Sequence, residues 1–335
     1  MRVIGLEEHF TTPEIAEALK NLPPEQQDDS QMMSQSETIK TRLMDLSDER
    51  LRQMDDIGLE RMVISVTAPA TQILPPSGAV PLARQANDRL AAAVKAHPDR
   101  FSGFAILPTS DPAASVVELE RCIQELGFLG AMINGRSGDK YLDHPDYRPL
   151  LQKAADLGYP LYIHPQIAPR AVRALYYDGF SEKVNIGFAS AGLGWHIEAG
   201  ITALRLIMAG VFDEIPGLQI ILGHWGETIT FYLERIDKMS MFTENLKRPV
   251  ADYFRHNFYV TGSGIYHTPY LLECIRVLGV DRVMYSSDYP FEYGGGGIGR
   301  KFLEESPISY DDKLKIAYIN ADRLLKLSPG VVELA

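Results

Sequence analysis

The sequence predicts an α/β fold of the (β/α)8 barrel type, and three observations carry that prediction. Short β-rich runs alternate with longer stretches whose apolar residues fall three and four apart, the pattern of parallel strands joined by helices. Eight such strand runs occur, most of them followed by a helical stretch, which at 335 residues fits one closed barrel with insertions. Several of the strand runs end in a carboxylate or an imidazole, as expected where strand C-termini build a site. An open doubly wound sheet is the structural alternative, and at about 150 residues per domain the length alone would allow two domains.

Taken in order, strands are expected at 3–9, 61–67, 101–107, 130–133, 161–164, 218–223, 258–261 and 282–287. Each is rich in β-branched, aromatic or other apolar residues and is bounded by polar or turn residues. Helical spacing marks 82–97, 112–126, 147–157, 228–239, 269–278 and 310–327. Two insertions interrupt this rhythm. One, at about 12–50, follows the first strand and is most polar between 21 and 42; the other, at 165–198, carries Tyr176, Tyr177, Phe180, Phe188 and Trp195. In a barrel both fall on the face at the strands' C-terminal ends, where long loops shape a pocket or a subunit contact. The chain 1–335 therefore reads as a single barrel domain.

Composition narrows the class of protein. With 45% hydrophobic and 23% charged residues the chain can bury a sizeable core, which excludes disordered and fibrous classes. Its longest apolar stretch, around 199–212, is interrupted by Arg205 and falls short of the roughly 20 residues a membrane span needs. Thirty-three Lys plus Arg against 44 Asp plus Glu leave a net charge of −11, which argues against nucleic acid or an anionic membrane as partner. Cys122 and Cys274 sit in apolar helical patterns and read as buried, reduced thiols. Met1-Arg2-Val3-Ile4 already reads as strand rather than leader, so a cytoplasmic location is expected.

The chemistry begins in Leu6-Glu7-Glu8-His9-Phe10. Strand alternation puts Glu7 and His9 on one face and Glu8 on the other. His164 closes Leu-Tyr-Ile-His, His224 closes Ile-Ile-Leu-Gly-His, and Asp288 closes Val-Met-Tyr-Ser-Ser-Asp. Polar groups that end apolar strands need partners, because their desolvation otherwise costs several kcal/mol. In a barrel these ends converge, so Glu7, His9, His164, His224 and Asp288 should surround one point, where mixed N and O ligands suit a divalent ion such as zinc or manganese. Glu227, three residues after His224, either orients that imidazole or caps a helix. Of the remaining histidines, His97, His144 and His256 fall in turn or helix contexts, whereas His196 and His267 stand where they could approach the site. The run Gly294-Gly295-Gly296-Gly297 lacks the Lys-Ser/Thr ending of a phosphate loop, and no organic-cofactor motif occurs.

Glu-Glu-His at the first strand, Tyr-Ile-His-Pro at the fifth, Leu-Gly-His-Trp-Gly-Glu at the sixth and Ser-Ser-Asp-Tyr-Pro-Phe-Glu at the eighth resemble the amidohydrolase superfamily. More narrowly they resemble its metal-dependent, non-oxidative decarboxylases, typified by γ-resorcylate, 2,3-dihydroxybenzoate and aminocarboxymuconate semialdehyde decarboxylases. The likeness extends over nearly the whole chain, through Gly127-Phe128-Leu129-Gly130-Ala131 and the closing Ile319-Asn320-Ala321-Asp322-Arg323-Leu324. It implies Glu7, His9, His164 and Asp288 as metal ligands, His224 and Glu227 as a catalytic pair, and Arg235 as a substrate-carboxylate contact. Many members carry His-x-His on the first strand. Glu7 at the first of these positions favours the aromatic-acid branch and makes the site harder, so that magnesium also becomes admissible beside zinc and manganese.

The expected reaction is therefore loss of CO2 from an aromatic acid with an ortho hydroxyl. Asp288 delivers a proton to carbon, His224 and Glu227 hold or relay it, and Arg235 binds polar substrate groups, either within its own subunit or across a subunit contact. Phe10, Phe291 and Trp195 are expected to wall the ring. Hydrolysis of an ester, lactone or amide by a metal-activated water is the alternative reading of the same residues. The resemblance further implies a homodimer or homotetramer.

Overall fold

In the computed structural model the described residues are 1–292 and 295–327. Gly294 of the glycine run and the 328–335 end of the expected domain lie outside them. Parallel strands run around a barrel: β1 (Ile4–Phe10), β2 (Arg61–Val66), β3 (Phe101–Gly103 and Ala105–Ile106), β4 (Ala131–Asn134), β5 (Leu161–His164), β6 (Ile220–Leu222), β7 (Phe258–Thr261) and β8 (Val283–Met284). β3 is split because it changes partner at Phe104, its first half pairing with β2 and its second with β4. A parallel bridge between Glu8 and Tyr289, with His9 N donating to Tyr289 O at 2.7 Å, joins β1 to the chain just beyond β8.

The interior is filled from alternate strand positions. Ile4, Leu6, Val63, Phe104, Met132, Tyr162, Ile221, Tyr259 and Met284 form one buried cluster, and Ala321 and Leu325 of the helix Asn320–Leu325 pack onto it. The opposite strand faces carry Ile64, Phe101, Ile133, Ile163, Leu222 and Val260 into a second layer beneath the helices. Phe10 belongs to this outer layer, with Ile15 and Met54, and is 1% exposed. It does not wall the site as the sequence reading expected, because alternation places it with Glu8 rather than with His9.

A one-residue irregularity sets the phase of β1. Between Gly5 and Glu8 its register slips against β2, so that three steps on β1 oppose two on β2. Leu6 and Glu7 consequently both turn inward, Leu6 into the core and Glu7 to the mouth above it.

β8 is shorter than its sequence suggested. Glu8 Oε1 accepts from Ser287 N at 2.9 Å and Glu8 Oε2 from Tyr289 N at 3.2 Å, so a side chain serves these backbone donors in place of a neighbouring strand. The last helical stretch is also less uniform than expected, with a π-helical segment Lys315–Ile319 between Tyr310–Leu314 and Asn320–Leu325. Within the insertions lie a 3-10 turn Asp29–Ser34 and the helices Glu37–Met44, Arg170–Tyr176 and Glu182–Ala189. Arg173 Nη2 reaches Asp29 Oδ2 at 2.5 Å and Arg170 Nη2 donates to Pro24 O at 2.6 Å, so the two insertions meet over the barrel mouth. Both cysteines are buried and free, and no helix among the described residues is long and apolar enough to cross a membrane.

Candidate active site

Four strand ends converge as alternation requires. His164 Nε2 lies 3.5 Å and His9 Nε2 4.0 Å from Glu7 Oε1, and His9 Nε2 lies 3.2 Å from Asp288 Oδ1. The two carboxylate oxygens of Glu7 differ. Oε2 accepts from Tyr162 Oη at 2.5 Å and from the Ser263 hydroxyl, whereas Oε1 is buried without a hydrogen-bond partner among the described residues. Both ring nitrogens of His9 are also buried and unpartnered. His164 places Nδ1 2.8 Å from Pro165 O, so Nδ1 carries the proton and Nε2 presents a lone pair.

The electrostatics point the same way. Burial drives the His164 pKa down to about 3, helped by His9, which keeps the ring neutral. Burial raises Glu7 above its ordinary range despite the pull of His224. A buried carboxylate with one oxygen unpartnered, between two imidazoles with free nitrogens, fits a divalent cation, since such atoms are costly to bury otherwise. Glu8 points away from this group. Besides its backbone bonds it accepts from Ser287 Oγ at 2.5 Å, and burial lifts it to about 7 against those hydrogen bonds.

Beside this cluster stands a second one. His224 Nδ1 is 2.7 Å from Glu227 Oε1, and His224 Nε2 is 3.9 Å from Asp288 Oδ2. Both ring nitrogens thus face carboxylates. Burial works against the charge on His224, but Glu227, Glu7 and Asp288 outweigh it and hold the ring protonated. Glu227 is fully buried, which opposes its ionisation, yet His224 and His196 bring it down to about 2. Asp288 is likewise held at about 2, the neighbouring His224 and His9 imidazoles overcoming burial.

The backbone that delivers His224 and Glu227 is unusual. Residues 224–228 all have positive φ: His224 +47°, Trp225 +60°, Gly226 +84°, Glu227 +53° and Thr228 +68°. This is a left-handed turn rather than the start of the following helix, which begins at Ile229. Left-handed geometry costs about 1–2 kcal/mol for each non-glycine residue. Packing sustains it. Trp225 is 3% exposed and donates from Nε1 to Ile265 O at 2.9 Å, His224 N donates to Ser263 Oγ at 3.1 Å, and the Thr230 hydroxyl bonds Trp225 O. Asp288 is also left-handed, with φ +56°.

A cavity of about 530 Å3 opens over both clusters. His164, His224 and Asp288 form its floor, with Trp195, Ile265 and Phe291 among its walls and Met33, Ser34 and Ile39 reaching in from the first insertion. The Phe291 ring sits 5.8 Å from His9, and the Trp195 ring 6.0 Å from His164. Arg235 is elsewhere. It is exposed on the outer side of the helix Ile229–Asp237, in a separate cleft with Lys238, Arg255 and Arg276, and makes no ion pair among the described residues. The helix leads away from the barrel mouth, so a residue two turns along it cannot reach the cavity of its own chain.

The sequence reading passed over several residues. Tyr162 shares the inward face with His164 two positions on, and that spacing could have flagged it; Ser263, beyond β7, gave no signal. Asn134 and Ser65, in register with His164 and His9 respectively, each bury an unpartnered oxygen. His196 does reach the cavity, whereas His267 is exposed and meets Tyr270 edge to face.

Fold and site together define the class: a (β/α)8 barrel with carboxylates and imidazoles gathered at its strand C-termini. The chain belongs to the amidohydrolase family, whose profile matches residues 17–327. Within that family it is similar to γ-resorcylate decarboxylase of Rhodococcus jostii, with 39% identity over 97% of this chain and 98% of that one. A structure of dihydroxybenzoic acid decarboxylase from Polaromonas sp., with bound manganese and the inhibitor 2-nitroresorcinol, matches at TM-score 0.85 and 35% identity, covering 99% of both chains. The structure of 5-carboxyvanillate decarboxylase from Sphingomonas paucimobilis matches at TM-score 0.89 and 33% identity, over 98% of this chain and 99% of that one.

Proposed function

We propose that this protein is a metal-dependent decarboxylase of ortho-hydroxybenzoate-type acids that uses no organic cofactor. The observation that carries the proposal is that buried, unpartnered atoms of Glu7 and His9 lie just beneath a cavity floor formed by His164, Asp288 and a protonated His224 aimed at Asp288. Glu7, His9, His164 and Asp288 would hold one divalent ion, manganese or zinc, with magnesium also suited. When bound, the ion would supply Lewis-acid chemistry that favours the phenolate form of the substrate.

The chain's own residues then handle the proton. Direct loss of CO2 would leave an aryl carbanion with no stabilisation, so protonation of the ipso carbon comes first. His224 carries a proton on each ring nitrogen, and Asp288 lies between it and the substrate position. The Nε2 proton passes to Asp288 and on to the ipso carbon, and the ortho oxygen stabilises the dearomatised ring. The C–C electron pair then restores aromaticity as CO2 leaves, and His224 regains its proton from solvent. Glu227 keeps the imidazole oriented throughout, while Trp195 and Phe291 hold the ring and exclude water.

Metal-loaded protein should release CO2 from 2,6-dihydroxybenzoate or a related 2-hydroxybenzoate and lose that activity to a chelator. In D2O the product phenol should carry one deuterium at the former ipso carbon. Turnover of esters or lactones with incorporation of 18O from water, and no CO2 from any hydroxybenzoate, would establish the hydrolase reading instead.

We also propose that 1–335 is one barrel domain with its insertions at about 12–50 and 165–198, working in the cytoplasm as a homodimer or homotetramer. Around Arg235 the surface carries exposed Phe231, Tyr232, Met241 and Phe242, the last two each 81% exposed. Such an apolar face suits a second copy of the chain and would let Arg235 serve a neighbouring subunit's cavity.

A further inference from the structure

Two titratable side chains that line the cavity, His196 and Glu292, are left idle by this mechanism, and only His196 touches its proton-handling residues. His196, in the first turn of the helix Gly194–Met208, lines the cavity beside His224, their ring centroids 4.7 Å apart. Its Nδ1 lies 2.8 Å from Glu227 Oε2 and its Nε2 3.1 Å from Ala191 O. Glu227 therefore has one imidazole on each carboxylate oxygen, His224 on Oε1 and His196 on Oε2.

We infer that His196 is a positioning residue for the proton donor: it clamps Glu227 Oε2 so that Oε1 stays on His224 Nδ1 and His224 Nε2 stays aimed at Asp288. The last torsion of a glutamate is broad and offers little resistance to rotation. One bond to His224 fixes one oxygen and leaves the carboxylate plane free to swing. A second donor on the other oxygen removes that freedom. His196 can act as this clamp because it is itself held at both ring nitrogens. The segment that carries it is tied down as well, with Trp195 N donating to Ser190 O at 3.1 Å and Ser190 Oγ to Ile186 O at 2.6 Å.

A second cation among His196, His224 and Glu227 is the competing reading, since their ligand atoms lie within 4.8 Å of one another. The hydrogen bonding argues against it. Both Nδ1 atoms and both carboxylate oxygens are engaged with each other, and His196 Nε2 faces a carbonyl, which calls for an N–H rather than a lone pair.

Two amide substitutions separate the bonds. In His196→Asn the amide nitrogen takes the place of Nδ1 and keeps the bond to Glu227; in His196→Gln it takes the place of Nε2 and keeps only Ala191. The kinetic arm rests on the proposed decarboxylation. There, His196→Asn should hold kcat within about threefold of the parent while His196→Gln and His196→Leu lose about 10–100-fold, with KM little changed. A second arm needs no turnover. In the zinc-loaded, 15N-histidine-labelled protein, the downfield His224 Nδ1 proton should persist in His196→Asn and shift or broaden in His196→Gln. Equal loss in the two amide variants, or none in His196→Gln, overturns the inference. If the parent decarboxylates no hydroxybenzoate, the functional proposal falls and the nuclear resonance arm still decides the role of His196.

Discussion

Asp288 sits between two imidazoles, and its carboxyl is held near 2, so it rests as an acceptor and must be loaded before it can donate. Asp288→Asn keeps the shape and one oxygen but can carry no proton. Its kcat should fall by about 10²–10⁴-fold while an inhibitory nitrophenol still binds; near-normal turnover would move the donor role to His224. The adjoining pair makes a prediction about pH. In the metal-free protein the raised His224 contributes stability that is complete below pH 6.5 and is lost as pH rises through its folded value. The depressed Glu227 contributes stability that is complete above pH 4.5 and is lost as pH falls toward about 2. Glu227→Gln should therefore be most destabilised, on the order of 3 kcal/mol, between those values, and the gap should narrow in acid; urea midpoints across that range test it. Strand alternation foretold that Glu7 and His9 would face together and Glu8 would not. It also contained the correction to Phe10, which alternation sets beside Glu8. His196 was legible as a residue near the site, but its bond to Glu227 was not, because that partner is 31 positions away and on another element.

The strands and helices were readable because each obeys a local period: eight strand runs appear where apolar residues cluster, and helices at 112–124 and 148–157 fall where apolar residues recur three and four apart. What sequence could not supply is where pairing yields to other chemistry. Nothing in Leu6-Glu7-Glu8-His9 announces the slip in β1, and nothing in Ser286-Ser287-Asp288 announces that Glu8 replaces a strand partner there. Nor does His-Trp-Gly-Glu spell a left-handed turn, since only Gly226 within it prefers that geometry. Gly223, just before the turn, has an ordinary φ of −72° but no room. A β-carbon there would stand 2.8 Å from Ser263 Oγ, 2.9 Å from Glu7 Oε2 and 3.1 Å from Tyr162 Oη. Gly223→Ala should thus push Glu7 off its anchors and weaken manganese binding about tenfold or more, with circular dichroism unchanged. Unaltered affinity in a chelator competition would show that the Tyr162 and Ser263 contacts do not position Glu7.

The molecule as a whole carries its net charge of −11 without a basic face at the cavity, so a carboxylate substrate needs a local cation. The proposed metal is one source and the protonated His224 another; Arg235, projecting from the outer surface, adds to them only if a second subunit brings a cavity to it. Light scattering should give a mass at least twice 37.4 kDa, and Arg235→Ala should raise KM about tenfold while shifting stability by less than about 0.5 kcal/mol. A fully active particle of 37.4 kDa would remove both the assembly and the shared arginine. No periodicity or motif could have decided this, because helix 229–237 reads the same whether its far side meets water or another chain.

The left-handed turn at 224–228 has a consequence for how the protein would age under heat. Its conformation is imposed by neighbours, chiefly the seat of Trp225 against Ile265 and Gly262, and not by its own residues. When thermal motion loosens that seat, the turn relaxes while the strands stay paired, since the most strained segment opens at the lowest free energy. Turnover should then fade several degrees below the global unfolding transition and return on cooling. The barrel would outlive its own chemistry.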